Sequence, residues 1–183
     1  MVLSLGLEEE IKILPKDIDI NDIRMAIEEL GSQFMDLVIE HDTYYIHPCL
    51  DLWTRDEALR LRKRVSKIYG EKRYILTYKG KRIFKNGIKS REEIEVYVSD
   101  YEAMNTILIK MGFTVFAEVV KERIIYKYRD SRISIDNVKD LGVYIEIEGS
   151  SKTILDILRK IRFNYDIIEK TYLELLIAMR SGS

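Results

Sequence analysis

In six stretches of the chain every second residue is charged or polar. They are Glu8, Glu10 and Lys12; Arg60, Arg62 and Arg64; Thr77, Lys79 and Lys81; Arg91, Glu93 and Glu95; Lys121 and Arg123; and Glu146 and Glu148. Rows of Arg and Lys suit a polyanion, the guanidinium gripping two oxygens and the ammonium acting as a point charge. Pairs of carboxylates suit a hard divalent cation. The i, i+2 spacing is that of strands, whose side chains alternate between two faces. The opposite faces are apolar: Leu7, Ile11 and Ile13; Leu59, Leu61 and Val65; Leu76 and Tyr78; Ile94, Val96 and Val98; Val120 and Ile124; Val143, Ile145 and Ile147. A solvated outer face explains any one row. It does not explain runs of a single sign, because like charges two residues apart repel and folding does not reward them. The alternative is a sheet whose apolar face lies outward under helices and whose charged face is enclosed. Enclosed charge is costly unless it is paired or holds a ligand, and a lumen with both signs is a site for a metal–polyphosphate.

Strand-like alternation covers Leu7–Leu14, Asp36–Ile46, Leu59–Ile68, Arg73–Lys81, Ser90–Val98, Ala117–Tyr128, Arg132–Val138 and Val143–Glu148, with hairpin signals at Gly70, Asn86-Gly87, Asp130-Ser131 and Leu141-Gly142. Ile20, Ile23, Ile27 and Leu30 share one helical face before Gly31. Ser99-Asp100-Tyr101-Glu102 reads as a capping box opening a helix that stops at Gly112, and Thr54-Arg55-Asp56-Glu57 as a second box on a short turn. Amphipathic segments at Lys152–Ile161 and Asp166–Met179 complete an α+β set. The stretch from Glu8 to Asp17 aligns without gaps with that from Arg91 to Asp100, and each precedes an amphipathic helix, a glycine and a strand. Two βαβ-like halves closing one barrel with pseudo-twofold symmetry follow.

The 183 residues carry 46% hydrophobic side chains, room for one domain with a core. Thirty Lys and Arg against 31 Asp and Glu give a net charge of −1, so no global basic field points to nucleic acid. One cysteine excludes an internal disulfide, and with two histidines a thiolate–imidazole zinc site is not expected. No apolar run suits a membrane span and no signal segment opens the chain, so a cytoplasmic location is expected.

These motifs, in this order, resemble the CYTH proteins, also called triphosphate tunnel metalloenzymes, nearly end to end. Glu8-x-Glu10-x-Lys12 resembles that family's N-terminal signature. Ala58-Leu59-Arg60-Leu61-Arg62, Leu76-Thr77-Tyr78-Lys79-Gly80, Ser90 to Glu95, Lys121-x-Arg123, Ile135-Asp136, Leu141 to Glu148, and Lys170-x-Tyr172-Leu173-Glu174 follow it. The stretch from His41 to Trp53 is similar to the class IV adenylyl cyclase branch. The resemblance implies an eight-stranded antiparallel barrel forming a charged tunnel covered by helices, with Mg²⁺ or Mn²⁺ held by Glu8, Glu10, Glu146 and Glu148. It implies that Lys12, Arg60, Arg62, Lys79, Lys121, Arg123 and Lys170 hold the triphosphate. Arg91, Glu93 and Glu95 match a polar row that also faces substrate, and Lys12 and Asp136 are the candidates for a direct part in the reaction. Tyr144 stands where Phe is commoner.

His41 and His47 read as rim or packing groups, and Cys49 as a small hydrophobe. Tyr44, Tyr45 and Trp53 either stack on a base at the tunnel mouth or pack in the core. Lys63, Lys67, Lys81, Arg82 and Lys85 read as a solvated basic face. Three functions remain open: an adenylyl cyclase, a hydrolase of tripolyphosphate, thiamine triphosphate or nucleoside triphosphates, and a non-catalytic polyphosphate or nucleotide binder. The cyclase branch suggests a homodimer. Crowding of carboxylates at the metal site implies that neutralising Glu146 or Glu148 leaves metal-free stability level or raises it.

Overall fold

The computed structural model describes the backbone of residues 2–181 and the side chains of residues 7–181. Its strands are β1 (Val2–Pro15), β2 (Gln33–Ile46), β3 (Ala58–Ser66), β4 (Lys72–Lys79), β5 (Ile83–Lys85), β6 (Ile88–Val98), β7 (Thr114–Tyr128), β8 (Ser131–Val138), β9 (Gly142–Glu148) and β10 (Tyr165–Ile167). The helices are α1 (Ile20–Glu29), α2 (Tyr101–Lys110), α3 (Ser151–Lys160) and α4 (Tyr172–Ser181). The sheet order is β10-β1-β9-β8-β7-β2-β3-β4-β6-β5, and a further β1–β6 pairing closes β1, β9, β8, β7, β2, β3, β4 and β6 into an eight-stranded antiparallel barrel. Closure removes the free edges that an open sheet would expose.

The two halves are visible in the pairing. β1-α1-β2-β3-β4 corresponds to β6-α2-β7-β8-β9, with β1 against β6 and β2 against β7. Glu8 and Arg91, aligned in the repeat, are also cross-strand partners, which puts the pseudo-twofold between them. Tight turns join the strands: Asn86 and Gly87, at φ +54° and +77°, make the β5–β6 reversal.

The apolar face is outside. Ile11, Ile13, Ile133, Ile135, Ile145 and Ile147 are buried beneath Ile23 and Ile27 of α1 and Ile154 and Ile157 of α3. Tyr45 and Leu61 are buried beneath Leu108 of α2. α2 is capped by Asp100, whose carboxylate accepts from the Ala103 N–H, and not by Ser99. The Thr54–Glu57 segment forms turns without a helix. The last segment also differs from expectation: Tyr165–Ile167 is a strand on β1, and the helix begins only at Tyr172. There Thr171 and Glu174 form a reciprocal capping box, the Glu174 N–H donating to Thr171 Oγ1 and the Thr171 N–H to Glu174 Oε2.

α4 does not cover an outer face. Its Tyr172, Leu173 and Leu176 pack on Val119, Val138, Tyr144, Tyr44 and Leu14, which share strand parity with Lys121, Asp136, Glu146, Asp42 and Lys12 and so belong to the inner face. The helix stoppers one end of the lumen. No helix among the described residues is long and apolar enough to cross a membrane.

Candidate active site

Alternation turns inward Glu8, Glu10 and Lys12 of β1; Arg60, Arg62 and Arg64 of β3; Lys79 of β4; Arg91, Glu93 and Glu95 of β6; Lys121 and Arg123 of β7; and Glu146 and Glu148 of β9. All of them line one cavity of about 630 Å³. Lys12, Arg60, Arg62, Arg91, Glu93, Lys121 and Arg123 are buried, so the charged faces are enclosed. Lys89, Arg73 and Arg132 also line it, and Arg64, Arg73, Arg132 and Glu148 continue into a second pocket with Tyr69 and Lys127. The lumen therefore runs from the stoppered α4 end toward an arginine-rimmed end.

Acids behind the lining hold the cations. Asp42, 1% exposed, takes Arg62 in a bidentate grip at 2.5 and 2.7 Å. Burial alone would raise the Asp42 carboxyl, but Arg62 and Arg60 hold it at about 2. Asp136 accepts both Nε and Nη2 of Arg123 at 2.6 Å and the Tyr172 hydroxyl at 2.8 Å. Both its oxygens are engaged and it does not line the cavity, so here Asp136 orients Arg123 from behind. Glu40 sits beneath Arg62, Arg64, Lys121 and Arg123. Neither Glu40 nor Asp42 stood out in the sequence as a site residue, yet Glu40-His41-Asp42 has the same i, i+2 acidic spacing as Glu8-x-Glu10.

Lys12 is held from three sides: Glu146 Oε1 at 3.4 Å, the Lys170 carbonyl at 3.1 Å and the face of Tyr172 at 3.9 Å. Burial lowers its ammonium pKa. The Lys170 side chain is the exception to the motif reading, for it is exposed and does not line the cavity. Lys170 precedes the helix cap, and the chain turns its carbonyl, not its ammonium, inward. Lys79 pairs with Glu93, and burial brings it down to about 8. Arg60 donates to Thr77 at 2.9 Å and Glu95 at 3.0 Å. Lys81 lies past the end of β4 and is exposed.

The proposed metal ligands lie on β1 and β9, where Glu10 pairs with Glu148 and Lys12 with Glu146 in register. Glu10 is drawn to Lys89, Glu146 to Arg123, and Glu148 to Arg132. Among the described residues no three acids gather around one point. Glu8 is pushed up to about 8, first by burial and then by Glu93 and Glu148. Burial and the neighbouring carboxylates thus disfavour a charge on Glu8 until a cation offsets it, and hard carboxylate oxygens on two paired strands fit Mg²⁺ or Mn²⁺ in donor type.

The remaining candidates separate. Tyr45 touches the edge of the cavity but is anchored in the core: its hydroxyl donates to Asn105 at 2.7 Å and its ring packs with Leu61 and Leu108. Tyr44 faces the lumen and stays protonated, burial raising its pKa to about 12. Trp53, half-exposed, meets Phe116 edge-on at 5.6 Å on the cavity rim with Ile46 and Leu52. His41 lies outside near Glu118 at 3.3 Å. His47 accepts the Cys49 N–H and packs on Phe113, away from the lumen. Cys49 is exposed, not tucked into a core. Lys63, Lys67, Lys81 and Lys85 are solvated, but Arg82 is clasped by Asp56 at 2.7 Å and by both oxygens of Glu174 at 2.7 Å, tying α4 across the lumen end.

Comparison with known proteins agrees with this geometry. The CYTH domain family model matches residues 6–172. A Methanocaldococcus jannaschii protein named as a candidate adenylate cyclase is 36% identical over 177 residues, 91% of this chain and 97% of that one. A solved Pyrococcus horikoshii protein superimposes with a TM-score of 0.82 at 33% identity, over 94% of this chain and 99% of its own. A Hippeastrum protein, described as a candidate adenylyl cyclase with a dominant triphosphatase activity, shares the fold at a TM-score of 0.67 and 17% identity, over 96% of each chain.

Proposed function

The chain belongs to the CYTH domain family, and from that premise we propose that this enzyme acts on Mg²⁺- or Mn²⁺-complexed ATP in its barrel, closing it to 3′,5′-cyclic AMP with release of pyrophosphate. The observation that carries the reading is the closed lumen, where buried Arg60, Arg62, Lys121 and Arg123 face the carboxylates of β1 and β9. Cations fixed in an enclosed site meet phosphate oxygens without reorganising, so their stabilisation of developing charge is large. Asp42 and Asp136 orient Arg62 and Arg123 from behind, and Tyr172 and the Lys170 carbonyl orient Lys12.

Glu8, Glu10, Glu146 and Glu148 would hold the metal, which when bound polarises phosphoryl oxygens and offsets their charge. Three of these acids are now engaged by Lys89, Arg123 and Arg132. A triphosphate competes for those same cations, which frees the carboxylates for the metal, so the two ligands should bind better together than apart. In the cyclisation the 3′-hydroxyl oxygen forms a bond to the α-phosphorus and gives up its proton to solvent, the bond from that phosphorus to the bridging oxygen breaks, and pyrophosphate departs with the electron pair. The chain's part is alignment and charge neutralisation. The aromatic shelf of Trp53 and Phe116 at the rim supports a substrate carrying a base, as does the 36% identical relative named for a cyclase.

Hydrolysis of a triphosphate is the second reading. Its support is the second pocket, which shares Arg64, Arg73 and Arg132 with the lumen and extends its cationic lining, and the activity named for the Hippeastrum neighbour. Incubation with ATP and with tripolyphosphate, each with Mg²⁺ or Mn²⁺, and identification of products by mass separates the two. Cyclic AMP and pyrophosphate support the cyclase. ADP and phosphate alone, or turnover of tripolyphosphate alone, support the hydrolase.

A further inference from the structure

Glu40 is fully enclosed, does not line the cavity, and yet lies within reach of four cations from both neighbouring strands. Arg64 on β3 and Lys121 on β7 are its register partners, and Arg62 and Arg123 lie one step diagonal to it. Oε1 is 3.2 Å from Arg62 Nη1 and 3.7 Å from Arg64 Nε; Oε2 is 3.3 Å from Lys121 Nζ and 3.9 Å from Arg123 Nη1. A plain ion pair looks different here: Asp42 on Arg62 and Asp136 on Arg123 are each two-pronged and short. Among the described residues Glu40 makes one hydrogen bond, to Arg62, and its buried Oε2 makes none. Burial works against its charge, but Arg62, Arg123 and Lys121 keep the carboxyl ionised. The group thus acts by its charge at the centre of a cation ring more than by directed bonds.

We propose that Glu40 is a positioning residue that spaces Arg62, Lys121 and Arg123 for a triphosphate and, by its own charge, weakens their grip on it. The inference rests on the reading that the lumen holds a triphosphate. Without the Glu40 charge, Arg62 and Arg123 are offset by Asp42 and Asp136 but Lys121 and Arg64 lose their nearest counter-charge, so the array holds an anion in the lumen more tightly. Tighter binding of the ground state does not speed the chemical step, whereas displaced cations slow it. Glu40 therefore favours turnover over affinity.

The test is Glu40→Gln, equal in shape and uncharged, with Glu40→Asp, which keeps the charge on a shorter stem. Tripolyphosphate is titrated calorimetrically in EDTA, and steady-state turnover is followed with the metal and substrate the parent uses. Removing one buried like charge close to the phosphates should lower the tripolyphosphate Kd of Glu40→Gln by about tenfold. Displacement of the array by a fraction of an ångström should lower its kcat by about ten- to a hundredfold. Without ligand its Tm should fall, and tripolyphosphate should raise that Tm by more than it raises the parent's. Glu40→Asp should hold the parent's Kd and lose part of kcat. Binding weakened in proportion to turnover would make Glu40 merely structural, and an unchanged kcat would remove the positioning role; either overturns the proposal. If Glu40→Gln does not fold, Glu40→Asp decides: loss of both Kd and kcat, or of neither, overturns it. A parent that binds neither tripolyphosphate nor ATP, in EDTA or with Mg²⁺, refutes the triphosphate reading and Glu40's role with it, whereas a parent that binds beside a variant that responds wrongly refutes Glu40's role alone.

Discussion

Asp42→Asn tests whether the barrel interior is as enclosed as its side chains indicate. Asp42 and Arg62 are 1% and 7% exposed and joined by hydrogen bonds of 2.5 and 2.7 Å. The carboxyl is held at about 2 against an ordinary 3.8, which corresponds to about 2–3 kcal/mol of stability at neutral pH. Removing one partner of a buried pair leaves the other charge uncompensated and costs roughly 3–5 kcal/mol. The two routes meet near 3 kcal/mol, or about 6–12 °C in Tm for a chain of this size. Because the folded-state pKa is depressed, this stabilisation is complete above about pH 4 and is lost as pH falls toward about 2. Calorimetry of parent and variant at neutral pH and then at steps down to pH 2 should show a gap that closes in acid. The double change Asp42→Asn with Arg62→Met should cost less than the sum of the singles, since neither charge is then left buried alone. A gap at pH 7 below about 1 kcal/mol, small enough for a solvent-exposed pair, or one that persists unchanged in acid, would refute the enclosed-pair reasoning.

Glu146→Gln should abolish metal-dependent turnover and, against the crowding argument, lower the metal-free Tm, because it takes one carboxylate partner from Arg123 and the nearest one from Lys12, both buried; calorimetry in EDTA checks the sign. Arg60→Ala should weaken tripolyphosphate binding by about ten- to a hundredfold, the worth of one charge-assisted hydrogen bond, as read by titration. Trp53→Leu should reduce the preference for ATP over tripolyphosphate by roughly 1–3 kcal/mol in a competition titration. Tyr45→Leu should instead lower Tm and leave that preference unchanged, since its ring and hydroxyl are committed beneath α2.

The fold was legible because its oddity is local. Period-two alternation puts Ile145 and Glu146 on opposite faces whatever the partners of β9, and single-sign rows have no reason to face water. The repeat from Glu8 and from Arg91 further pointed to two halves, and the structure makes those two residues cross-strand partners. Some readings failed for a common reason. Lys170 was placed by its motif, but whether a residue before a helix turns side chain or carbonyl inward depends on where the cap forms, and here Thr171 and Glu174 fix it. The segment ending at Met179 was amphipathic enough to suggest an outer cover, yet its apolar residues stopper the lumen. Amphipathicity states that a face will be buried, not against what.

By itself, then, the sequence determined which side chains share a face, that the charged faces would be enclosed, and that the family's acidic and basic rows are all present. Alternation and hydrophobic burial act over a few residues and need no knowledge of the rest of the chain. Only the tertiary structure decided who pairs with whom inside. Glu40 meets Arg62, Arg64, Lys121 and Arg123 because β2 lies between β3 and β7 in a closed barrel. Arg82 reaches Glu174 across 92 positions of chain. Electrostatic energy depends on distance and on the loss of water between charges, and both are set by barrel closure and not by any local string of residues.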